Sequence, residues 1–140
     1  HIPENRKKLL SVTEQALHIA IDQAKPGNRI GDIGFAVQEY AEKNGYQVVK
    51  EYVGHGIGLA PHEDPQIPNF GSPHTGALIK EGMTLALEPM INEGTDEVKV
   101  LHDKWTVVTS DGKNSAHFED TILITGQHAR ILTKAGGKIG

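Results

Sequence analysis

At 140 residues the chain is long enough for one domain with a real core and too short for two, so residues 1–140 are read as a single domain. A formal net charge of -4, with 14 Lys and Arg scattered along the sequence, gives no general attraction to nucleic acid or to an anionic membrane. Cysteine is absent, which excludes disulfides, thiolate metal sites and cysteine nucleophiles and leaves imidazole and carboxylate as the metal ligands.

The first residue is His1 rather than Met, so the chain is expected to begin inside a longer sequence or at a processing site. Over residues 5–24, Leu9, Val12, Ala16, Leu17, Ala20 and Ala24 recur at three- and four-residue spacing among polar side chains, which predicts an amphipathic helix. Lys25-Pro26-Gly27-Asn28 stops it. Ile33, Ala36, Val37, Tyr40 and Ala41 predict a second helix, ended by Asn44-Gly45. The period then changes, and residues 46–49 read as a short strand. Residues 54–82 are rich in glycine and proline and are expected to form a long structured loop. Further strands are predicted over residues 83–87, 98–101, 105–109 and 117–125, with Asp111-Gly112 as a hairpin turn between the last two. The tail at 134–140 is expected to fray. No long apolar run marks a membrane or signal segment, and a soluble, cytoplasmic protein is expected.

The chemistry-bearing residues lie around these elements. In "EYVGHGIGLAPHEDPQIPNF" the glycines at 54, 56 and 58 invite a phosphate-loop reading, but Leu59 stands where the dinucleotide pattern wants glycine and no Gly-Lys-Ser/Thr follows. They read better as a bend that presents His55 and lets the backbone approach a ligand closely, with Pro61 to Pro65 as a rigid turn presenting His62. Glu88 ends the apolar pattern of "LALEPM", where Pro89 disfavours helix and removes the next ladder donor. A carboxylate placed there is costly without a partner, and the same holds for Glu119 at the start of the apolar run in "AHFEDTILIT". Two such carboxylates and a histidine make an oxygen and nitrogen metal set. Strand alternation puts His117 on the face of Glu119, where it could back the ligands. His18, His74, His102 and His128 read as solvated.

"AKPGNRIGDIG", "GHGIG" with "HEDPQIPNFG", "GMTLALEPM" and "WTVVTSDGKNSAHFEDTILIT" together resemble the type I methionine aminopeptidases, over about residues 14–133. The resemblance implies the α/β pita-bread metallopeptidase fold, with two N-terminal helices packed on a curved, mostly antiparallel sheet. It also implies a dinuclear site for Co, Mn, Fe or Zn. In that reading His55, Glu88 and Glu119 are metal ligands and Glu88 also relays the proton of the attacking water. His62 contacts the substrate and stabilises the tetrahedral intermediate, and Trp105 walls the methionine side-chain pocket.

Relatives bring two further aspartate ligands from a region N-terminal to the one matched, and Asp22 and Asp32 lie in helical stretches that make them poor substitutes. The chain therefore resembles the C-terminal half of a two-halved fold. Asp120, Pro61 and Ser115 stand where relatives often carry histidine, a bulky apolar residue and cysteine. Half a sheet domain would leave an apolar face and a strand edge open, so a homodimer or a complementary N-terminal half is expected, besides a peptide or nascent polypeptide N-terminus as substrate. Two other readings are a non-catalytic pita-bread-like module for polypeptide binding or oligomerisation, and a prolidase or proline-directed aminopeptidase. "GHGIGL" alone would serve the latter; "HEDPQIPNFG" and "WTVVTSDGK" favour the methionine branch.

Overall fold

The computed structural model describes residues 2–134, so the expectation for the tail lies, beyond Lys134, outside the described residues. Helix α1 spans Glu4–Gln23, and its buried residues Leu9, Val12, Thr13, Ala16, Leu17 and Ala20 form the stripe expected from their spacing. Thr13 sits in that apolar stripe without loss because its hydroxyl donates to the Leu9 carbonyl at 2.8 Å. Helix α2 spans Ile30–Lys43. Its first turn is capped by the Asp32 carboxylate, which accepts the Arg29 N–H at 2.7 Å. At its other end Gly45 takes φ +84°, and the Gly45 and Tyr46 N–H groups donate back to Glu42 and Ala41.

Ten short strands follow, β1 Gln47–Val48, β2 Gly54–Gly56, β3 Glu63–Ile67, β4 Thr84–Leu87, β5 Met90–Asn92, β6 Val98–Val100, β7 Val107–Thr109, β8 Ser115–His117, β9 Asp120–Ile124 and β10 Ala129–Ile131. All named pairings are antiparallel. They divide into a sheet ordered β10-β9-β4-β2-β3, a second ordered β1-β5-β8, and the ribbon β6-β7. Leu85 and Leu87 of β4, Ile91 of β5, Ala116 of β8 and Ile122 and Ile124 of β9 join the helix stripes in one buried apolar cluster. The helices thus cover one side of the strands.

Five expectations are corrected. The stretch 54–82 is not all loop: β2 and β3 pair within it, and Pro65 is accommodated because β3 is an edge strand, where a missing N–H costs no ladder bond. The turn at Asp111-Gly112 exists, with Gly112 at φ +73°, but β7 pairs with β6 and β8 with β5, so it joins two sheets and closes no hairpin. The strand expected over 117–125 is broken into β8 and β9, and the one over 105–109 begins only at Val107. Finally, Gly54 and Gly56 are close to the protein itself: an added Cβ would lie 2.4 Å from the Ala86 carbonyl oxygen and 2.3 Å from that of Asp64. Their small size lets β2 nest between β3 and β4.

Candidate metal centre

Two strand breaks coincide and create the site. β4 ends at Leu87 and β5 starts at Met90, while β8 ends at His117 and β9 starts at Asp120. In register, Leu87 lies opposite Asp120 and Met90 opposite His117, so Glu88-Pro89 faces Phe118-Glu119 across the seam between the two sheets. Pro89 has no N–H to continue the ladder, which accounts for the break on its side. Both carboxylates emerge from this seam.

The third element is β2. His55 pairs with Ala86, and the register shifts between His55 and Gly56. Ala86 and Glu88 point to the same side by alternation, so the imidazole reaches Glu88 diagonally. His55 Nε2 lies 3.3 Å from Glu88 Oε1, and both side chains are mostly buried. The other ring nitrogen, Nδ1, is 2.9 Å from the Gly56 carbonyl oxygen. A carbonyl only accepts, so Nδ1 carries the proton, and the remaining Nε2 of a neutral ring presents a lone pair to a carboxylate. Two acceptors face to face need a cation between them, either a proton or a metal ion. That donor set fits a divalent metal, and the carbonyl behind the ring fixes its orientation as a ligand requires.

Burial pushes the Glu88 carboxyl above the usual glutamate range, Glu119 pushes it further in the same direction, and His55 opposes both. Excess negative charge is thus concentrated where the seam opens. One ligand atom each from Glu88, His117 and Glu119 lies within 4.8 Å of the others. His117 Nε2 is 3.7 Å from Glu88 Oε2.

His62 is exposed, but its ring lies 4.2 Å from that of His55, tilted by 47°. Both rings line a cleft of about 440 Å³ with Val53, Glu63, Asp64 and Gln66. The expected rigid turn is a bend that ends at His62, with β3 beginning at Glu63. On the other side of the seam His117 borders a cleft of about 660 Å³ with apolar walls from Met90, Val98, Leu101 and Val107. Trp105 is not enclosed: it stands 87% exposed between β6 and β7. Asp32 is used as a helix cap and Asp22 is exposed on α1, so neither joins the cluster. His18, His74, His102 and His128 are exposed, as expected.

Two contributors escaped the sequence reading. The Gly56 carbonyl that holds His55 carries no side-chain signal at all. Asn69, buried in "PQIPNF", donates to the Glu88 carbonyl at 3.4 Å; a polar residue between prolines and aromatics was the only hint.

The chain matches the model of metallopeptidase family M24 over residues 1–126. It is 53% identical to methionine aminopeptidase 1 of Bacillus subtilis over 134 residues, which make up 96% of this chain and 54% of that protein. The methionine aminopeptidase of Escherichia coli is 42% identical over 127 residues, 91% of this chain and 48% of that protein. A crystal structure of methionine aminopeptidase from Thermotoga maritima matches with a TM-score of 0.94 at 52% identity, over 96% of this chain and 54% of that one. Prolidase from Pyrococcus furiosus shares the fold less closely, at 26% identity and a TM-score of 0.71 over 98% of this chain and 35% of that one. The chain thus spans about half the length of the curated relatives it matches. By these matches and by its two-helix, antiparallel architecture, the chain has the pita-bread fold and belongs to metallopeptidase family M24, on its methionine aminopeptidase side.

Proposed function

We propose that this chain is the metal-binding half of an aminopeptidase that removes N-terminal methionine from polypeptides, with His55, Glu88 and Glu119 as metal ligands. The observation that carries the reading is the 3.3 Å approach of His55 Nε2 to Glu88 Oε1 while Nδ1 is committed to the Gly56 carbonyl. When bound, divalent ions supply a water activated near neutral pH and a Lewis acid for the scissile carbonyl. Co, Mn, Fe and Zn all accept this ligand mixture. In this reading Glu88 would take or relay the proton of the attacking water. His62, beside His55 and open to the cleft, donates toward charge developing on the substrate oxygen. The apolar cleft beyond His117 suits an unbranched apolar side chain, and Trp105 becomes a wall only when substrate or a partner covers it.

The partner follows from the same reading. The chain spans about half the length of the relatives it matches, and the resemblance implies two aspartate ligands from outside the matched region, which a complementary N-terminal half or a second copy would supply. In a homodimer, Glu88 and Glu119 of one chain would stand in for the missing aspartates of the other. Sedimentation is expected to show association, and a compact monomer at micromolar concentration overturns it. A cytoplasmic setting accompanies this reading, and among the described residues no helix is long and apolar enough to cross a membrane.

Release of methionine from a methionyl peptide with added Co or Mn, lost in Glu88→Gln, is the expected result. If neither release nor calorimetric metal binding occurs while polypeptides still bind, the chain is the non-catalytic module instead.

A further inference from the structure

His62 reaches its cleft from a segment that side-chain burial does not hold. Leu59, Ala60, Pro61 and His62, between β2 and β3, are all exposed, Leu59 completely so, yet the His62 ring lies 4.2 Å from that of His55. Two hydrogen bonds shape the segment. The Gly58 N–H donates to the Ala60 carbonyl at 3.1 Å, and the Ala60 N–H donates to Glu63 Oε1 at 2.8 Å. A carboxylate that accepts a backbone N–H makes one of the stronger hydrogen bonds. Water competes for an exposed carboxylate, so its place also depends on packing, and Gly58 supplies that. A Cβ added at Gly58 would lie 2.7 Å from Glu63 Oε2 and 3.3 Å from Cδ, so the carboxylate rests directly over the glycine. Glu63 itself is anchored, because it starts β3 and pairs with Gly56 of β2.

We infer that Glu63 is a positioning residue: its carboxylate clamps the 58–62 segment to the sheet through the Ala60 N–H and so holds the His62 ring beside His55. The absence of a side chain at Gly58 seats the clamp. The inference rests on the reading that His62 faces the substrate. It also divides the work between two adjacent residues, since His62 meets the substrate and Glu63 acts only through the segment that carries it. A donor aimed at developing charge is effective only when its position is fixed beforehand, and an exposed segment needs such a clamp to fix it.

The test follows the 140-residue chain by NMR, without metal or substrate, through the NOE between the His55 and His62 rings and the Ala60 amide resonance. Wild type is expected to show the ring-to-ring NOE. Glu63→Ala should lose it and move the Ala60 amide proton upfield. Glu63→Gln, whose side-chain carbonyl still accepts the Ala60 N–H, should keep both as in wild type. Gly58→Ala, whose methyl group pushes the carboxylate aside, should weaken both. With Co or Mn and a methionyl peptide, Glu63→Ala should lower kcat about tenfold or more and leave KM within about twofold, because His62 acts on charge that develops in the transition state. A ring NOE that persists in Glu63→Ala, or one absent from wild type, overturns the clamp, and so does its loss from Glu63→Gln. If wild type releases no methionine, the functional reading falls and the NOE still decides the clamp. A backbone amide spectrum shows whether Glu63→Ala folds, and if it does not, an NOE unchanged in Gly58→Ala overturns the inference.

Discussion

The two faces of β4 have opposite problems. Toward the helices, Leu85 and Leu87 are at most 2% exposed and pack into one apolar cluster with Ile122, Ile124 and the stripes of α1 and α2. Toward the other side, the same strand presents Ala86 and then Glu88, which meets His55, His117 and Glu119 in a half-open seam. One face is complete with what the chain supplies. The other sets the partly buried Glu88 beside the exposed Glu119, so in the absence of a cation the Glu88 charge works against folding. The fold carries this cost because the apolar face is independent of it.

Breaking the helix-covered face should therefore have the largest effect. Leu87→Ala removes a buried side chain from the centre of the cluster and is expected to cost about 2–5 kcal/mol in urea denaturation. A cost well under 1 kcal/mol would show that this face does not hold the strand. Asp32 sharpens the same side. It accepts the backbone N–H groups of Arg29 and His74, each at 2.7 Å, and these hold its carboxyl below the usual aspartate range. Its contribution is therefore present above the ordinary aspartate range and disappears as pH falls through the lowered folded value. Asp32→Asn should cost about 1 kcal/mol at neutral pH, and the gap between variant and wild type should close in acid. A gap that does not change with pH would mean that the carboxylate is not what caps α2.

The seam should respond with the opposite sign. In metal-free solution at neutral pH, Glu88→Gln removes a charge disfavoured by burial and by Glu119, and a gain of about 0.5–1 kcal/mol is expected. Saturating divalent metal should reverse the order of the two melting temperatures by stabilising wild type alone. If the variant is the less stable one without metal, Glu88 is already compensated within the chain. The smallest effect belongs to Trp105→Ala. At 87% exposure the side chain contributes little to the fold, and a change within about 0.5 kcal/mol is expected; a larger loss would reveal packing of the indole that its exposure does not suggest.

How far the sequence could be read differs between these regions for a physical reason. The helices were legible because their signals are local: apolar spacing, Pro26 after α1, and Asn44-Gly45 after α2. Glu88 and Glu119 were legible as strand-end carboxylates for the same reason, since a charge beside an apolar run and a proline is conspicuous on its own. The strands within 54–82 were hidden, because Gly54 and Gly56 look like loop residues and become strand residues only where neighbouring carbonyls leave no room for a Cβ.

The sequence by itself determined the two helices and, through its motifs, the family, and it supplied the residue types of the candidate site. Only the tertiary structure decided that His55 and His117 approach different oxygens of Glu88, that the Gly56 carbonyl fixes the His55 ring, and that Trp105 stands in the open. Those outcomes depend on strand register and on the coincidence of two breaks far apart in the chain, and no local pattern encodes a pairing between residues 87 and 120.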